Sequence, residues 1–172
     1  MKLFVASDIH GSAYYCRRML EKYRESGAER LVLLGDILYH GPRNDLPRGY
    51  APKEVIAMLN PLASEIIAVR GNCDTEVDQM VLEFPVLQER GLIADGKHRI
   101  YLIHGHKELD SLADMLGEGD LLFFGHTHVP TDKQGKGGCR ILNPGSISIP
   151  KENSDHGYII WDSGEITRGS VD

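Results

Sequence analysis

Short apolar runs alternate with helix-forming segments through the first half of the chain. Each run predicts a strand, because it is short and almost continuously apolar. These runs lie at 2–7, 30–34 and 65–70. Helical spacing over 13–25 ends before Gly27, and the helical segment 52–60 begins with Pro52, a residue suited to the first turn of a helix. The alternation of strands and helices predicts an α/β arrangement.

Hairpins dominate the second half of the chain. Segment 85–105 predicts a β-hairpin with Asp95-Gly96 at its tight turn, and 109–116 predicts a short helix. Strand and turn alternate in the rest of this half, with apolar runs at 121–125, 139–146, 156–162 and 166–171. We therefore expect one domain over residues 1–172, an α/β fold with two β-sheets packed on each other and helices outside.

Composition excludes several classes of protein. The 172 residues are 41% hydrophobic and 26% charged with a net charge of −6, which is typical of a globular domain and argues against binding to a nucleic acid duplex or an acidic membrane. No apolar run approaches the roughly 20 residues of a membrane span. The three cysteines are widely spaced without a CxxC pair, so we expect no disulfide framework and a cytoplasmic location.

Seven metal-competent side chains follow five of the apolar strands. They are Asp8, His10, Asp36, Asn72, His104, His126 and His128. A single His or Asp after a strand is usually a structural residue, but this explanation applies to one residue at a time and does not account for seven. Because the carboxyl ends of strands form the ligand crevice of open α/β sheets, we expect these side chains to converge.

The mixture of imidazole and carboxylate indicates the kind of ion. It suits a pair of divalent ions such as Mn²⁺, Fe²⁺, Co²⁺, Ni²⁺ or Zn²⁺, and we expect Mn²⁺ first. Two ions need a shared anionic ligand, and Asp36, alone at the end of its strand, is the natural bridge. Paired metals roughly 3.5–4 Å apart clamp the attacking and leaving oxygens of an in-line displacement, which indicates phosphoester hydrolysis.

Five ordered motifs of the chain resemble those of the calcineurin-like metallophosphoesterases. They are "DIHG" at 8–11, "GDILYHG" at 35–41, "GNCD" at 71–74, "HGH" at 104–106 and "GHTH" at 125–128. "NPGS" at 143–146 also resembles a late turn of the small single-domain phosphodiesterases of this family. The resemblance implies a four-layer α/β/β/α fold and a small phosphodiester substrate, hydrolysed by metal-activated hydroxide.

The same resemblance implies a role for each residue. One metal would take Asp8, His10 and His128, with Asp36 as the bridge. The second would take Asp36, Asn72, His104 and His126. The candidate catalytic residues are Asp36, Asn72 and Cys73.

Cys73 departs from the family pattern, in which this position is usually a His that helps to protonate the leaving oxygen. A neutral thiol is a weak donor without positive charge. We therefore expect diesterase activity to exceed monoesterase activity, because a dianionic monoester loses more from the missing cation. There are three alternatives for Cys73. It could be a buried residue without a direct role, a metal ligand or, least of all, a nucleophile.

Other residues and functions remain open from the sequence. His106 could line the site, and His40, Arg43 and Arg48 in the long loop at 35–52 could meet an anionic substrate or be solvated. His98 and His156 are expected at the surface, and Asn143–Ser146 is expected to form a turn at the site rim. A phosphomonoesterase, or a non-catalytic binding scaffold of the same fold, is the alternative function, and a homodimer is one option for the assembly.

Overall fold

Two five-stranded sheets form the centre of the structure, a computed structural model that describes residues 1–172. The strands are β1 (Lys2–Ala6), β2 (Arg30–Leu33), β3 (Ile66–Ala68), β4 (Arg90–Asp95), β5 (His98–Ile103), β6 (Leu121–Phe123), β7 (Thr131–Gln134), β8 (Arg140–Asn143), β9 (Gly157–Asp162) and β10 (Glu165–Ser170). The helices are α1 (Ala13–Ser26), α2 (Pro52–Leu59), α3 (Glu76–Val81) and α4 (Leu109–Met115), with a 3₁₀ turn at Asn60–Leu62. The longest helix has 14 residues, and none has the length and apolar character needed to span a bilayer.

Each sheet contains three parallel strands, joined by antiparallel strands on one side in the first sheet and on both sides in the second. The first has the order β10-β9-β1-β2-β3, with β1, β2 and β3 parallel. The second has the order β4-β5-β6-β8-β7, with β5, β6 and β8 parallel. Parallel neighbours end at the same edge of a sheet, so the residues after β1, β2 and β3 are brought together, as are those after β5 and β6.

Alternation of side chains along the strands separates the core into layers. Leu3 and Val5 of β1 pack between the two sheets, whereas Phe4 and Ala6 pack against the side that carries α1 and α2. In the second sheet, Leu122 packs with α4 on the outer side. The predicted two-sheet sandwich flanked by helices is therefore confirmed.

The helix ends follow from local chemistry. The Ser12 hydroxyl accepts a hydrogen bond from the Tyr15 backbone N–H at the start of α1, and Gly27 ends this helix in the left-handed conformation at φ 64°. Pro52 lies in the first turn of α2, as predicted. The turn between β4 and β5 lies one residue later than expected, because Asp95 pairs with His98 and leaves Gly96 and Lys97 as the turn.

Helix α3 and strand β7 were not predicted. Helix α3 is six residues long and buries none of them, so it has no apolar periodicity; a capping box between Thr75 and Asp78 begins it. Strand β7 is an edge strand of polar residues, three of them exposed, so it lacks the alternation that marks a half-buried strand.

Candidate metal centre

The seven predicted ligands lie together at one end of the sandwich, after β1, β2, β3, β5 and β6. Five of them have a positive φ, between 49° and 63°, which is uncommon outside glycine. They are Asp8, His10, Asp36, His126 and His128. Such a conformation persists where its surroundings fix it, and backbone strain of this kind concentrates at functional sites.

Asp8, His10 and His128 form the first group of ligand atoms, and all three are buried. The Nε2 atom of His128 lies 3.1 Å from Asp8 Oδ1, and the Nε2 atom of His10 lies 3.5 Å from the same oxygen. The two Nε2 atoms are 3.2 Å apart. Asp8 Oδ1 is buried and has no hydrogen-bond partner.

His104, Asp36 and Asn72 form the second group. The Nε2 atom of His104 lies 3.4 Å from Asp36 Oδ2 and 3.1 Å from the side-chain oxygen of Asn72. Asp36 Oδ2 also lies 3.7 Å from His10 Nε2, so Asp36 stands between the two groups. The His126 ring borders the second group at 5.1 Å between its centroid and that of His104.

Backbone carbonyl groups orient three of the imidazoles. The Nδ1 atom of His10 lies 2.7 Å from the carbonyl oxygen of Tyr39, that of His104 2.6 Å from Leu34, and that of His128 2.7 Å from Ile149. A carbonyl oxygen can only accept, so Nδ1 carries the proton in each ring. Each Nε2 lone pair therefore points into the site, the arrangement found around metal-binding histidines.

Each carboxylate uses one oxygen for the protein and presents the other to the site. Asp8 Oδ2 accepts hydrogen bonds from the Ser7 hydroxyl at 2.5 Å and from the His126 backbone N–H at 3.0 Å. Asp36 Oδ1 accepts from the Cys73 backbone N–H at 2.8 Å. The oxygens left over, Asp8 Oδ1 and Asp36 Oδ2, are the ones that face the imidazole nitrogens.

These contacts place lone pairs against lone pairs, which is unfavourable unless a positive charge lies among them. Burial raises the pKa of Asp8, but its contacts with His10 and His128 outweigh burial and hold that pKa well below its usual range. Burial lowers the pKa of His104, but the Asp36 and Asp8 carboxylates raise it to about 9. Protons occupy such a site in the absence of metal, and a divalent ion displaces them. The donor set therefore fits metal ions.

Asp74 is a buried residue at the site to which the sequence assigned no role, although it ends the quoted "GNCD" motif. Its carboxylate accepts three backbone hydrogen bonds, from Asp36 at 2.7 Å, Ile37 at 2.9 Å and Gly71 at 2.7 Å. It thus joins the turn after β3 to the turn that carries Asp36.

The segment Asn143–Ser146 was expected only at the rim of the site, but its side chains also form hydrogen bonds to the turns that carry the candidate ligands. The Ser146 and Ser148 hydroxyls both donate to the Asp8 carbonyl oxygen, at 2.8 and 3.0 Å. The Asn143 side-chain amide donates to the Gly125 carbonyl oxygen at 2.7 Å. Two serines and one asparagine therefore hold the turns that present Asp8 and His126.

A cleft of about 390 Å³ opens above the two groups and is lined almost entirely by polar residues. They are His10, Asp36, Gly41, Pro42, Arg43, Asn44, Asn72, Cys73, His126, Thr127, His128 and Lys151. Cys73 is half-buried, and its sulfur lies within 4.8 Å of ligand atoms of His10 and Asp36. Burial, with Asp36 nearby, raises the pKa of the Cys73 thiol to about 12, so the thiol is neutral near pH 7.

The other candidate residues have separate positions. His106 lies beside the second group, with its ring centroid 5.4 Å from that of His104. Arg43 lines the cleft, whereas the Arg48 guanidinium stacks 3.8 Å over the Tyr14 ring. The His40 ring packs between the rings of two tyrosines.

His98 and His156, expected at the surface, are only partly exposed and pack against aromatic rings. The His98 ring meets Trp161 edge-on, and the His156 ring stacks on Tyr15 at 3.9 Å.

Comparisons with known proteins agree with this geometry. Residues 1–165 match the calcineurin-like phosphoesterase superfamily domain. The chain is 48% identical over 163 residues to Phosphodiesterase YfcE of Escherichia coli (strain K12), covering 95% of this chain and 88% of that protein. The solved structure of the E. coli phosphoesterase YfcE superposes with a TM-score of 0.88 at 44% identity over 100% of both chains.

More distant structures share the fold alone. An archaeal phosphodiesterase superposes with a TM-score of 0.74 at 22% identity over 98% of both chains. Zinc-bound Vps29 from Entamoeba histolytica superposes with a TM-score of 0.62 at 21% identity over 100% of both chains. The match over nearly the whole length, together with the two groups of ligand atoms, leads to one conclusion: this chain belongs to the calcineurin-like phosphoesterase superfamily.

Proposed function

We propose that this protein is a metal-dependent phosphodiesterase that hydrolyses small phosphodiesters at the cleft above Asp36. The observation that carries the proposal is the position of the buried Asp36, whose carboxylate lies near both His10 and His104 at the floor of a polar cleft. The identity of 48% to a phosphodiesterase over 95% of the chain supports the same reaction.

Each group of ligand atoms is assigned one metal ion. Asp8, His10 and His128 would hold the first ion, and Asp36 would be shared with the second. Asn72, His104 and His126 would complete the second site. Both sheets contribute ligands, so we treat residues 1–172 as one catalytic domain. The nitrogen and oxygen donors suit Mn²⁺ first, with Zn²⁺, Ni²⁺, Fe²⁺ and Co²⁺ as alternatives.

Divalent ions at this position supply Lewis acidity, which lowers the pKa of water and offsets the charge of the phosphate. The chain's own residues orient the site. The carbonyl groups of Tyr39, Leu34 and Ile149 hold the imidazole rings in one tautomer. The Cys73 backbone N–H fixes one Asp36 oxygen, so that the other faces the cleft. A substrate therefore meets a site whose ligand atoms are already in position.

Cys73 determines which phosphate esters are favoured. A cysteine side chain never carries a positive charge and its thiol donates weakly, so this position supplies neither a cation nor an efficient acid for the leaving oxygen. The absence of a cation at position 73 therefore slows the hydrolysis of a diester monoanion less than that of a monoester dianion. Leaving groups of low basicity, such as aryl oxides, need little protonation and react best.

The test is hydrolysis by purified protein that has been stripped of metal and then loaded with Mn²⁺, Co²⁺, Ni²⁺ or Zn²⁺. We expect two ions per chain by elemental analysis and faster hydrolysis of bis(p-nitrophenyl) phosphate than of p-nitrophenyl phosphate. Asp36→Asn removes the bridge and serves as the inactive control. Metal binding without hydrolysis of any ester would refute the enzyme and favour a binding scaffold of the same fold.

A further inference from the structure

Two cationic side chains, Arg43 and Lys151, line the cleft beside the candidate metal ligands. They come from separate segments of the chain, and both are exposed. Neither forms an ion pair or a side-chain hydrogen bond, whereas five other arginines are each paired with a carboxylate. Those paired arginines are Arg17, Arg70, Arg90, Arg99 and Arg140. Arg43 and Lys151 are therefore available to a ligand in the cleft.

The loop that carries Arg43 is held against the first turn of α1 and the site. The Ser12 hydroxyl donates to the Arg48 carbonyl oxygen at 2.6 Å, and the Ala13 backbone N–H donates to the Gly49 carbonyl oxygen at 2.9 Å. Within the loop, the Asn44 side-chain amide donates to the His40 carbonyl oxygen at 2.8 Å. The backbone beneath Arg43 is thus fixed.

Arg43 and Arg48 have different uses although both belong to this loop. The Arg48 guanidinium lies 3.8 Å over the Tyr14 ring, where it stabilises the loop through a cation–π contact. The guanidinium of Arg43 contacts neither an aromatic ring nor a carboxylate, and Arg43 lines the cleft.

Lys151 begins from backbone that is tied to a candidate metal ligand. The Lys151 backbone N–H donates to the His128 carbonyl oxygen at 3.1 Å. Two residues earlier, the Ile149 carbonyl oxygen accepts from His128 Nδ1 at 2.7 Å. The segment 149–151 is therefore positioned by His128, and the lysine side chain extends from it along the cleft.

Charge distinguishes the role of these cations from that of the metals. Two divalent ions beside Asp8 and Asp36 would leave the floor with a net positive formal charge, which is sufficient for a phosphodiester monoanion. The scissile group therefore does not require Arg43 or Lys151. A second anionic group on the same substrate would require a separate cation such as Arg43 or Lys151. Arginine is well suited to bind phosphate through two hydrogen bonds.

We propose that Arg43 and Lys151 bind a second phosphate group of the substrate, so that the preferred substrates are small phosphodiesters that carry an additional terminal phosphate. This inference rests on the proposed phosphodiesterase function. The cleft volume of about 390 Å³ accepts two phosphate groups and a sugar that joins them, at the lower end of small-molecule sites. Its polar lining offers little to a bulky apolar substituent.

The test compares two dinucleotides that differ only in the second phosphate, adenylyl-adenosine with and without a 5′-phosphate. We expect the Mn²⁺-loaded protein to hydrolyse the phosphorylated dinucleotide with a kcat/KM at least about tenfold higher, mainly through KM. The double variant Arg43→Gln, Lys151→Gln should lower this ratio to below about twofold. Arg43→Lys keeps the charge and should retain part of the preference.

Lys53→Gln is the matched control, because Lys53 is an exposed cation outside the cleft. It should leave the ratio unchanged. Calorimetric binding of adenosine 5′-monophosphate and adenosine 3′,5′-bisphosphate gives a readout that does not depend on turnover. The wild-type protein should bind the bisphosphate at least about tenfold more tightly than the monophosphate. The double variant should bind the two ligands with equal affinity.

The outcomes separate this inference from the proposed function. The wild-type protein could hydrolyse the two dinucleotides at equal rates and bind the two adenosine phosphates equally, while it still hydrolyses bis(p-nitrophenyl) phosphate. That result would refute the second-phosphate site and leave the proposed function intact. A double variant that loses activity equally on both dinucleotides would show that the two cations bind the scissile phosphate, which also overturns the inference. Failure to hydrolyse any diester would overturn both proposals.

Discussion

The sulfur atom of Cys73 packs against Gly41 so closely that a Cβ atom added at position 41 would lie 3.2 Å from it. The same sulfur lies near the ligand atoms of His10 and Asp36. Position 73 is thus enclosed between the candidate metal ligands and the loop that carries Arg43. The glycine at position 41 therefore leaves room for the sulfur, because a side chain there would press against it.

Cys73→His should raise monoesterase activity relative to diesterase activity by at least about tenfold, because an imidazole adds a cationic acid that can protonate the leaving oxygen. The measurement compares kcat/KM for p-nitrophenyl phosphate and bis(p-nitrophenyl) phosphate with Mn²⁺ present. The wild-type protein should prefer the diester. A wild-type preference for the monoester, or an unchanged ratio in the variant, would contradict this role for position 73.

Cys73→Ala is the control for that substitution, because it removes the sulfur without adding a donor. Its diesterase activity should remain within about threefold of the wild-type value, since a general acid would contribute about 100-fold or more. An inactive, folded Cys73→Ala protein with its full metal content would show that the thiol itself takes part in the reaction.

Removal of metal should abolish activity and lower the melting temperature. At a free metal concentration of about 100 times Kd, binding stabilises the folded state by about 2.7 kcal/mol, which corresponds to roughly 5–11 °C for a chain of this size. Thermal unfolding with and without a chelator measures the shift, and added Mn²⁺ should restore both properties. Asp36→Asn should show a much smaller response to metal, and an equal response would contradict the bridging role of Asp36.

Asp74→Asn should weaken metal binding and activity by about 10–100-fold, the usual effect of losing a group that orients metal ligands. Its carboxylate accepts from the backbone N–H groups of Asp36, Ile37 and Gly71, and an amide would turn a donor toward one of them. Elemental analysis and kcat/KM with Mn²⁺ measure the effect. The matched variant Asp78→Asn alters only the cap of α3 and should leave metal content unchanged.

Asp120→Asn should destabilise the protein at pH 7 by about 1.5–3 kcal/mol, the range for hydrogen bonds to charged groups. Arg99 donates two hydrogen bonds to the buried Asp120 side chain, at 2.7 Å each, and lowers its pKa below the usual value of 3.8. A lowered pKa in the folded state adds stability above the unfolded pKa, and this is lost as the pH falls through the folded pKa.

The difference in free energy of unfolding between the wild-type protein and Asp120→Asn should therefore shrink as the pH falls below about 4. Urea titrations at a series of pH values measure it. Asp132→Asn is the control, because the Asp132–Arg140 pair is partly exposed and should contribute less than about 1 kcal/mol. An equal loss of stability by Asp120→Asn at all pH values would point to packing instead of charge.

The order of the elements and the positions of Asp8, Asp36 and Asn72 at strand ends could be predicted from the sequence. Buried strands are apolar along their whole length, so their ends are marked by the first polar residues, and this signal is local. Helix α3 and strand β7 escaped prediction for the same reason. Their residues are mostly exposed, and exposed segments carry no hydrophobic period.

Only the tertiary structure decided how the ligands are held. The carbonyl groups that orient His10, His128 and His104 lie 29, 21 and 70 residues away from them in sequence. The tertiary structure also distinguished the two arginines of the long loop: Arg43 lines the cleft, whereas Arg48 stacks on Tyr14.

The sequence by itself determined which side chains can bind metal and at which strand ends they lie, because these depend on residue type and local periodicity. The tertiary structure decided which oxygen of Asp8 and Asp36 faces the cleft, and that Gly41 closes over Cys73. Contacts of this kind depend on how the two sheets and the loops pack, which no local pattern encodes.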